Sequence, residues 1–127
     1  MTPLDQISLA LCIWKENRGG GIPGMQSCAN VILNRAVVRK LSVYAVVYQP
    51  LQFSSMSYQH DPQLLIQPKV DDPQWAQAQE LAAQVADGKL TDITLGATSY
   101  YAVSIPPPYW AASMTPTVMI ANQRFFK

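Results

Sequence analysis

The sequence predicts an α+β domain, mainly helical, with a small antiparallel β element at its C-terminal end. Three features carry that expectation. Apolar residues recur at helical spacing in successive segments between residues 3 and 86, with recognisable start and stop signals. From Ala97 onward the composition turns β-branched and aromatic. No internal repeat, low-complexity tract or linker divides the 127 residues, so the chain is read as a single domain, 1–127.

Thr2 before Pro3 has the form of an N-cap with proline at the first helical position, and the first helix is expected from Pro3 to about Arg18. It stops there because Gly19, Gly20 and Gly21 lose the most conformational entropy in a helix and supply positive φ freely. Leu9, Cys12, Ile13 and Glu16 form one stripe and Leu4, Ile7, Leu11 and Trp14 a second, so both sides of this helix are expected to be buried. Pro23 opens a second helix with Met25, Cys28, Ala29, Ile32 and Ala36 on its apolar face, ending near Arg39 and Lys40. On another face Ser27, Asn30 and Asn34 make a polar file. Hydrogen bonding to a neighbouring loop or to water is its favoured use, and contact with a ligand is the alternative.

Ser42 to Tyr48 reads as a short third helix, halted because Gln49 precedes Pro50. Leu51 to Val70 shows no sustained period, and so long a loop in a compact domain is usually functional or disordered. Gln52, Phe53, Ser54, Ser55, Tyr58 and Gln59 give it hydrogen-bonding groups interleaved with rings. Asp72 caps and Pro73 opens a last helix that keeps Trp75, Ala78, Gln79, Ala82, Val85 and Ala86 on one face up to Gly88, with Glu80 on the exposed side. T-S-Y-Y-A-V is then one strand and V-M-I-A-N-Q-R-F-F one or two more. Between them three prolines hold I-P-P-P-Y-W-A extended, so that Tyr109 and Trp110 form a stacking surface or Trp110 plugs the core between sheet and helices.

A formal charge of +1 with 13% charged residues offers no basic face, which argues against nucleic acid as a partner. Few charges beside ten prolines and many Gln, Asn, Ser and Tyr residues suit a partner met by neutral hydrogen bonds and ring stacking, as carbohydrate is. The longest apolar run is too short to span a bilayer, and MTPLDQ has no Lys or Arg, so neither stable membrane insertion nor a signal peptide is expected. Cys12 and Cys28 lie on core faces of two different helices and read first as buried free thiols, with a disulfide as the alternative. Two cysteines and one histidine make no zinc site, and no metal or other cofactor is expected.

Glu16 is the residue around which a function can be built. A helix C-terminus carries partial negative charge, so a carboxyl in the last turn holds its proton more tightly. Glu16 also extends an apolar stripe into a glycine-rich opening, which suits an acid that gives a proton to a leaving group. Arg18, two residues on, favours the ionised form, and the sequence leaves the balance open. A glycosidase with two carboxylates needs the second within about 5 to 9.5 Å. Asp61, Asp71 and Asp72 are the loop candidates, and Asp72 already has a capping role.

E-N-R-G-G-G from Glu16, N-V-I-L-N-R from Asn30, Y-Q-P-x-Q-F-S from Tyr48, A-T-S-Y-Y from Ala97 and N-Q-R-F-F from Asn122 occur in this order over nearly the whole chain. Together they resemble the SleB-like cell wall hydrolases, which include spore cortex-lytic enzymes and relatives encoded in phages and prophages. The resemblance implies a lysozyme-like fold and cleavage of the bond between N-acetylmuramic acid and N-acetylglucosamine in peptidoglycan. It also implies a lytic transglycosylase in which one glutamate, matched here by Glu16, acts first as acid and then as base. The muramoyl C6 hydroxyl attacks to leave a 1,6-anhydro sugar. Ser99 and Gln123 stand where relatives commonly carry histidine; both hydrogen-bond but neither titrates near neutral pH. Lys15 and Asn17 stand where small residues are frequent and are expected to be surface variation.

The expectation is therefore a peptidoglycan lytic enzyme of phage or prophage endolysin type, with Glu16 catalytic and Gln52, Ser54, Tyr100, Tyr101, Asn34 and Trp110 lining the sugar groove. Its partner is the peptidoglycan glycan strand, met by a monomer without cofactor. It would reside in the host cytoplasm before release to the wall, or travel in a phage particle. The alternatives are a water-using muramidase, a catalytically inactive glycan-binding or particle-assembly module, and an enzyme on another polymer of N-acetylated sugars such as chitin.

Overall fold

In the computed structural model, which describes residues 1–50 and 52–127, the first helix α1 (Pro3–Asn17) begins at a reciprocal cap. The Asp5 N–H donates to Thr2 Oγ1 at 3.1 Å, and Thr2 N donates back to Asp5 Oδ2 at 2.9 Å. Asp5 Oδ1 accepts from Tyr44 N at 2.8 Å, which fastens the start of α1 to the short helix α3 (Val43–Val47). At the other end α1 passes through a tight turn, Arg18–Gly20, into α2 (Gly21–Arg39). Gly21 has φ 65°, a left-handed conformation that glycine adopts without steric cost. Helix α2 thus opens two residues before Pro23. Leu51, the first residue of the stretch without helical period, lies outside the described residues; within that stretch one helical turn forms, α4 (Ser54–Ser57). Asp72 caps α5 (Pro73–Ala86) as its sequence indicates, accepting from Gln74 N at 2.8 Å.

Helix α1 is the central element, packed against α2, α3 and α5. Leu9, Cys12 and Ile13 are fully buried among Met25, Cys28, Ala29, Ile32, Val46, Val47, Phe53, Ala78 and Ala82. Each large apolar side chain so buried contributes about 1.5–3 kcal/mol. The cysteines are free thiols in this core. The second stripe of α1 does not behave as expected: Trp14 is buried, but Leu4 is 56% and Ile7 49% exposed. Ile7 lines a hollow between α1 and α5 together with Gln6, Ala10, Gln79 and Ala82.

The β element is a three-stranded antiparallel sheet of β1 (Ser99–Ala102), β2 (Pro116–Ile120) and β3 (Gln123–Phe126), in the order β1-β3-β2. Tyr100 lies opposite Phe125 and Tyr101 opposite Arg124, so the pleat sends Tyr100 and Phe125 to one face. That face packs on Val31 of α2. Tyr101 stacks on Phe126 at 5.5 Å on the other face, and Trp110 stands edge-on to both. Trp110 is therefore not a plug between sheet and helices, and Tyr109 beside it is 95% exposed.

Of the polar file on α2, Asn30 and Asn34 hold the loop that precedes β1, whereas Ser27 donates to Gly24 O within its own helix. Asn30 donates to Thr91 O at 3.1 Å and accepts from Ile93 N at 3.0 Å, Asn34 Nδ2 donates to Asp92 Oδ2 and Ala97 O, and Arg35 Nε donates to Thr98 O at 2.6 Å. Burial works against ionisation of Asp92, yet donations from Thr94, Asn34 and Gly96 outweigh it and hold its carboxyl below the usual range. Among the described residues no helix is long and apolar enough to cross a membrane.

Candidate active site

Because α1 ends at Asn17, Glu16 stands in its last turn, half-buried. The segment that follows α3 folds over this end. Phe53, buried in the core, anchors it, and α4 then presents Ser55 to the helix end, where Ser55 Oγ donates to Glu16 Oε1 at 3.0 Å. Ser55 itself is buried.

Lys15 and Asn17 are not surface variation: both are buried, because the chain closes over the helix end where each would otherwise meet water. Lys15 Nζ donates to Leu64 O at 2.7 Å and to Ser55 O at 3.4 Å. Asn17 Nδ2 donates to Gln123 Oε1 at 3.0 Å, tying α1 to β3. Arg18 stacks on the Trp14 ring at 4.1 Å and donates to the helix-end carbonyls of Trp14 and Lys15 and to Gln63 Oε1.

Burial pushes the Glu16 carboxyl above the usual glutamate range. The Ser55 hydrogen bond pulls it back, the charge of Asp61 raises it, and the Arg35 guanidinium lowers it. The cation that bears on Glu16 is thus Arg35 rather than Arg18. The net direction is upward, so the group keeps its proton at higher pH than an ordinary glutamate. Asp61 is held the opposite way: the Ser54 hydroxyl and the Gln63 N–H keep its carboxyl below the usual range.

Arg35 is buried with its guanidinium 5.2 Å from the centre of the Phe53 ring, and among the described residues its Nη1 has no hydrogen-bond partner. The Tyr100 hydroxyl lies 3.8 Å from Cys28 Sγ, and burial pushes both this phenol and the Cys12 thiol well up, so both are neutral near pH 7. The charge of Glu16 reaches both groups.

Of the residues expected to line a sugar groove, Tyr100 is reached by the charge of Glu16, and Ser54 donates to Asp61, whose charge bears on Glu16. Asn34 spends both amide hydrogens on the 91–97 loop. Gln52 accepts from Arg39 at 3.4 Å near the end of α2. Tyr101 and Trp110 share the sheet face turned away from Tyr100. Ser55 was not among the expected site residues, although the S-S pair after a ring-bearing residue was the available signal. Among the described residues no group of three or more His, Cys, Asp or Glu side chains comes together to hold a metal. What the arrangement offers is one carboxyl whose hold on its proton is strengthened by burial, supplied with one hydroxyl donor for the moment it is ionised.

A sequence profile of the cell wall hydrolase family matches residues 19–126, beginning three positions after Glu16. Two solved structures share the fold over the whole chain, Glu16 included. The catalytic domain of the germination-specific lytic transglycosylase SleB from Bacillus anthracis superposes with a TM-score of 0.77 at 22% identity, covering 100% of this chain and 97% of that one. The catalytic domain of the Bacillus cereus SleB protein gives 0.78 at 22% identity, covering 100% and 92%. No curated protein sequence gives a significant match. The lysozyme-like, mainly helical architecture is therefore shared, and the chain belongs to the cell wall hydrolase family.

Proposed function

We propose that this chain cleaves the glycosidic bond between N-acetylmuramic acid and N-acetylglucosamine in peptidoglycan as a lytic transglycosylase, with Glu16 as acid and base. The observation that carries the reading is the half-buried Glu16 carboxyl, raised in pKa by burial and met by the Ser55 hydroxyl. Protonated Glu16 gives its proton to the oxygen between the sugars, and the bond from that oxygen to the muramoyl C1 breaks. The carboxylate left behind, stabilised by Ser55, takes the proton of the C6 hydroxyl as its oxygen bonds to C1. Glu16 ends as it began, and no water is consumed. The fold likeness to the catalytic domain of a lytic transglycosylase supports the same outcome.

Tyr100 and Ser54 line the sugar groove nearest the scissile bond in this reading. The chain acts as a monomer of endolysin type, reaching the wall from the host cytoplasm or carried in a phage particle. The test is digestion of purified sacculi by wild type and Glu16→Gln with the products weighed. Anhydro products from wild type and none from the variant are expected; undiminished turnover by Glu16→Gln discards the mechanism.

A water-using muramidase is the second reading, and Asp61 is the observation in its favour. One carboxyl with its pKa raised and another, whose charge bears on it, with its pKa lowered is the division of roles found in two-carboxylate glycosidases. Products heavier by one water, together with loss of activity in Asp61→Asn, would select it.

A further inference from the structure

We propose that Lys15 is a positioning residue for the acid: by holding two backbone carbonyls of the covering segment, its ammonium fixes the Ser55 hydroxyl on Glu16. The inference rests on the reading of Glu16 as the proton donor. A lysine in the last turn of a helix ordinarily extends its ammonium into water. Here the side chain is only 7% exposed, and among the described residues its hydrogen-bond acceptors are both main-chain oxygens of the covering segment. Burial draws the Lys15 pKa down; the charge of Asp61 offsets part of this and that of Arg18 adds to it.

The two carbonyls belong to Ser55 and Leu64, so one side chain gathers both ends of the stretch that contains Asp61. Ser55 is the link. Its carbonyl accepts from Lys15 and its hydroxyl donates to Glu16, so two consecutive residues of α1 are bridged through a single residue of α4. Releasing the ammonium frees the Ser55 backbone and with it the donor on the acid.

The groups that face Glu16 are Cys12 on its own helix, Arg35 on α2, Asp61 on the covering segment and Tyr100 on β1. Those facing Lys15 are Cys12, Asp61 and Arg18. None of these is altered in the test. The pH dependence of kcat/KM on purified peptidoglycan is measured for wild type, Lys15→Met, Ser55→Ala and the double variant, with Glu16→Gln as control.

The Ser55 bond favours the carboxylate, so its loss raises the pKa of the acid and moves the high-pH limb upward. Lys15→Met and Ser55→Ala are each expected to move that limb upward and to lower turnover by about tenfold. The double variant is expected to move it no further than Ser55→Ala. Lys15→Gln, neutral and too short to span both carbonyls, should behave as Lys15→Met and keeps the test open if the methionine variant fails to fold. A limb left in place by both Lys15 variants overturns the proposal, and so does a shift in the double variant equal to the sum of the single ones. If Glu16→Gln is inactive while the Lys15 variants keep the wild-type limb, only the role of Lys15 falls; an active Glu16→Gln removes the catalytic reading itself.

Discussion

Ser55 Oγ donates to Glu16 Oε1 at 3.0 Å, and the two residues are 39 positions apart in the chain. A hydroxyl that donates to a carboxylate stabilises the ionised form, here against the larger opposing effect of burial. In Ser55→Ala a carboxyl-detected NMR titration should therefore find Glu16 titrating at higher pH than in wild type. An unchanged titration would mean that the bond does not persist in solution.

Glu16→Gln has a stability signature as well as a catalytic one. Below the unfolded-state pKa the carboxyl is protonated in both states and imposes no penalty. As pH rises from there towards the raised folded value, the unfolded chain releases its proton first and the folded state loses stability. Glutamine carries no charge at any pH. Denaturant unfolding at several pH values should show variant and wild type together in acid, with the variant the more stable above the window. A variant less stable than wild type at neutral pH would contradict the raised pKa.

Asp5 works in the opposite sense. Its carboxyl is held below the usual range first by the Thr2 N–H and then by the Tyr44 N–H, so its contribution is present above the ordinary carboxylate pKa and fades as pH falls through the lowered one. Asp5→Asn should cost about 1–2 kcal/mol at neutral pH. The difference should shrink in acid. Thermal melts across pH check both statements.

Ala121 and Asn122 join β2 to β3 with φ 49° and 63°, the backbone of a two-residue hairpin turn. Asparagine tolerates this region and alanine does not. Ala121→Gly should raise stability by about 0.5–1 kcal/mol, relief of the Cβ clash exceeding the entropy glycine adds to the unfolded chain. A lower melting temperature would refute it.

What the sequence made legible is what local chemistry decides. Thr2, Pro3, Asp72 and Pro73 mark helix starts because capping depends on a few adjacent residues. The triple glycine ends α1 one residue after Glu16, which put that carboxyl in its last turn without any tertiary information. Asn30 and Asn34 fell on the face where they hold a loop. Lys15 was read wrongly for a physical reason: a cation at a helix end looks solvated until another segment closes over it, and the segment that does so has no period to announce its path. Ser55 is legible as one of that segment's hydrogen-bonding groups, but its partner Glu16 is not, on the same ground. Trp110 was placed between two alternatives, and the pleat decides the matter, since Tyr101 and Phe126, its ring partners, point away from α2.

Asn30, Asn34 and Arg35, spaced along one helix, each grip main chain between residues 91 and 98. The three short strands therefore lean on α2, where Phe125 packs in one small cluster with Ala97 and Val31. Slow hydrogen exchange in β1 and β3 would be borrowed protection: their amides should open together with those of α2, and the sheet should have no independent folding transition.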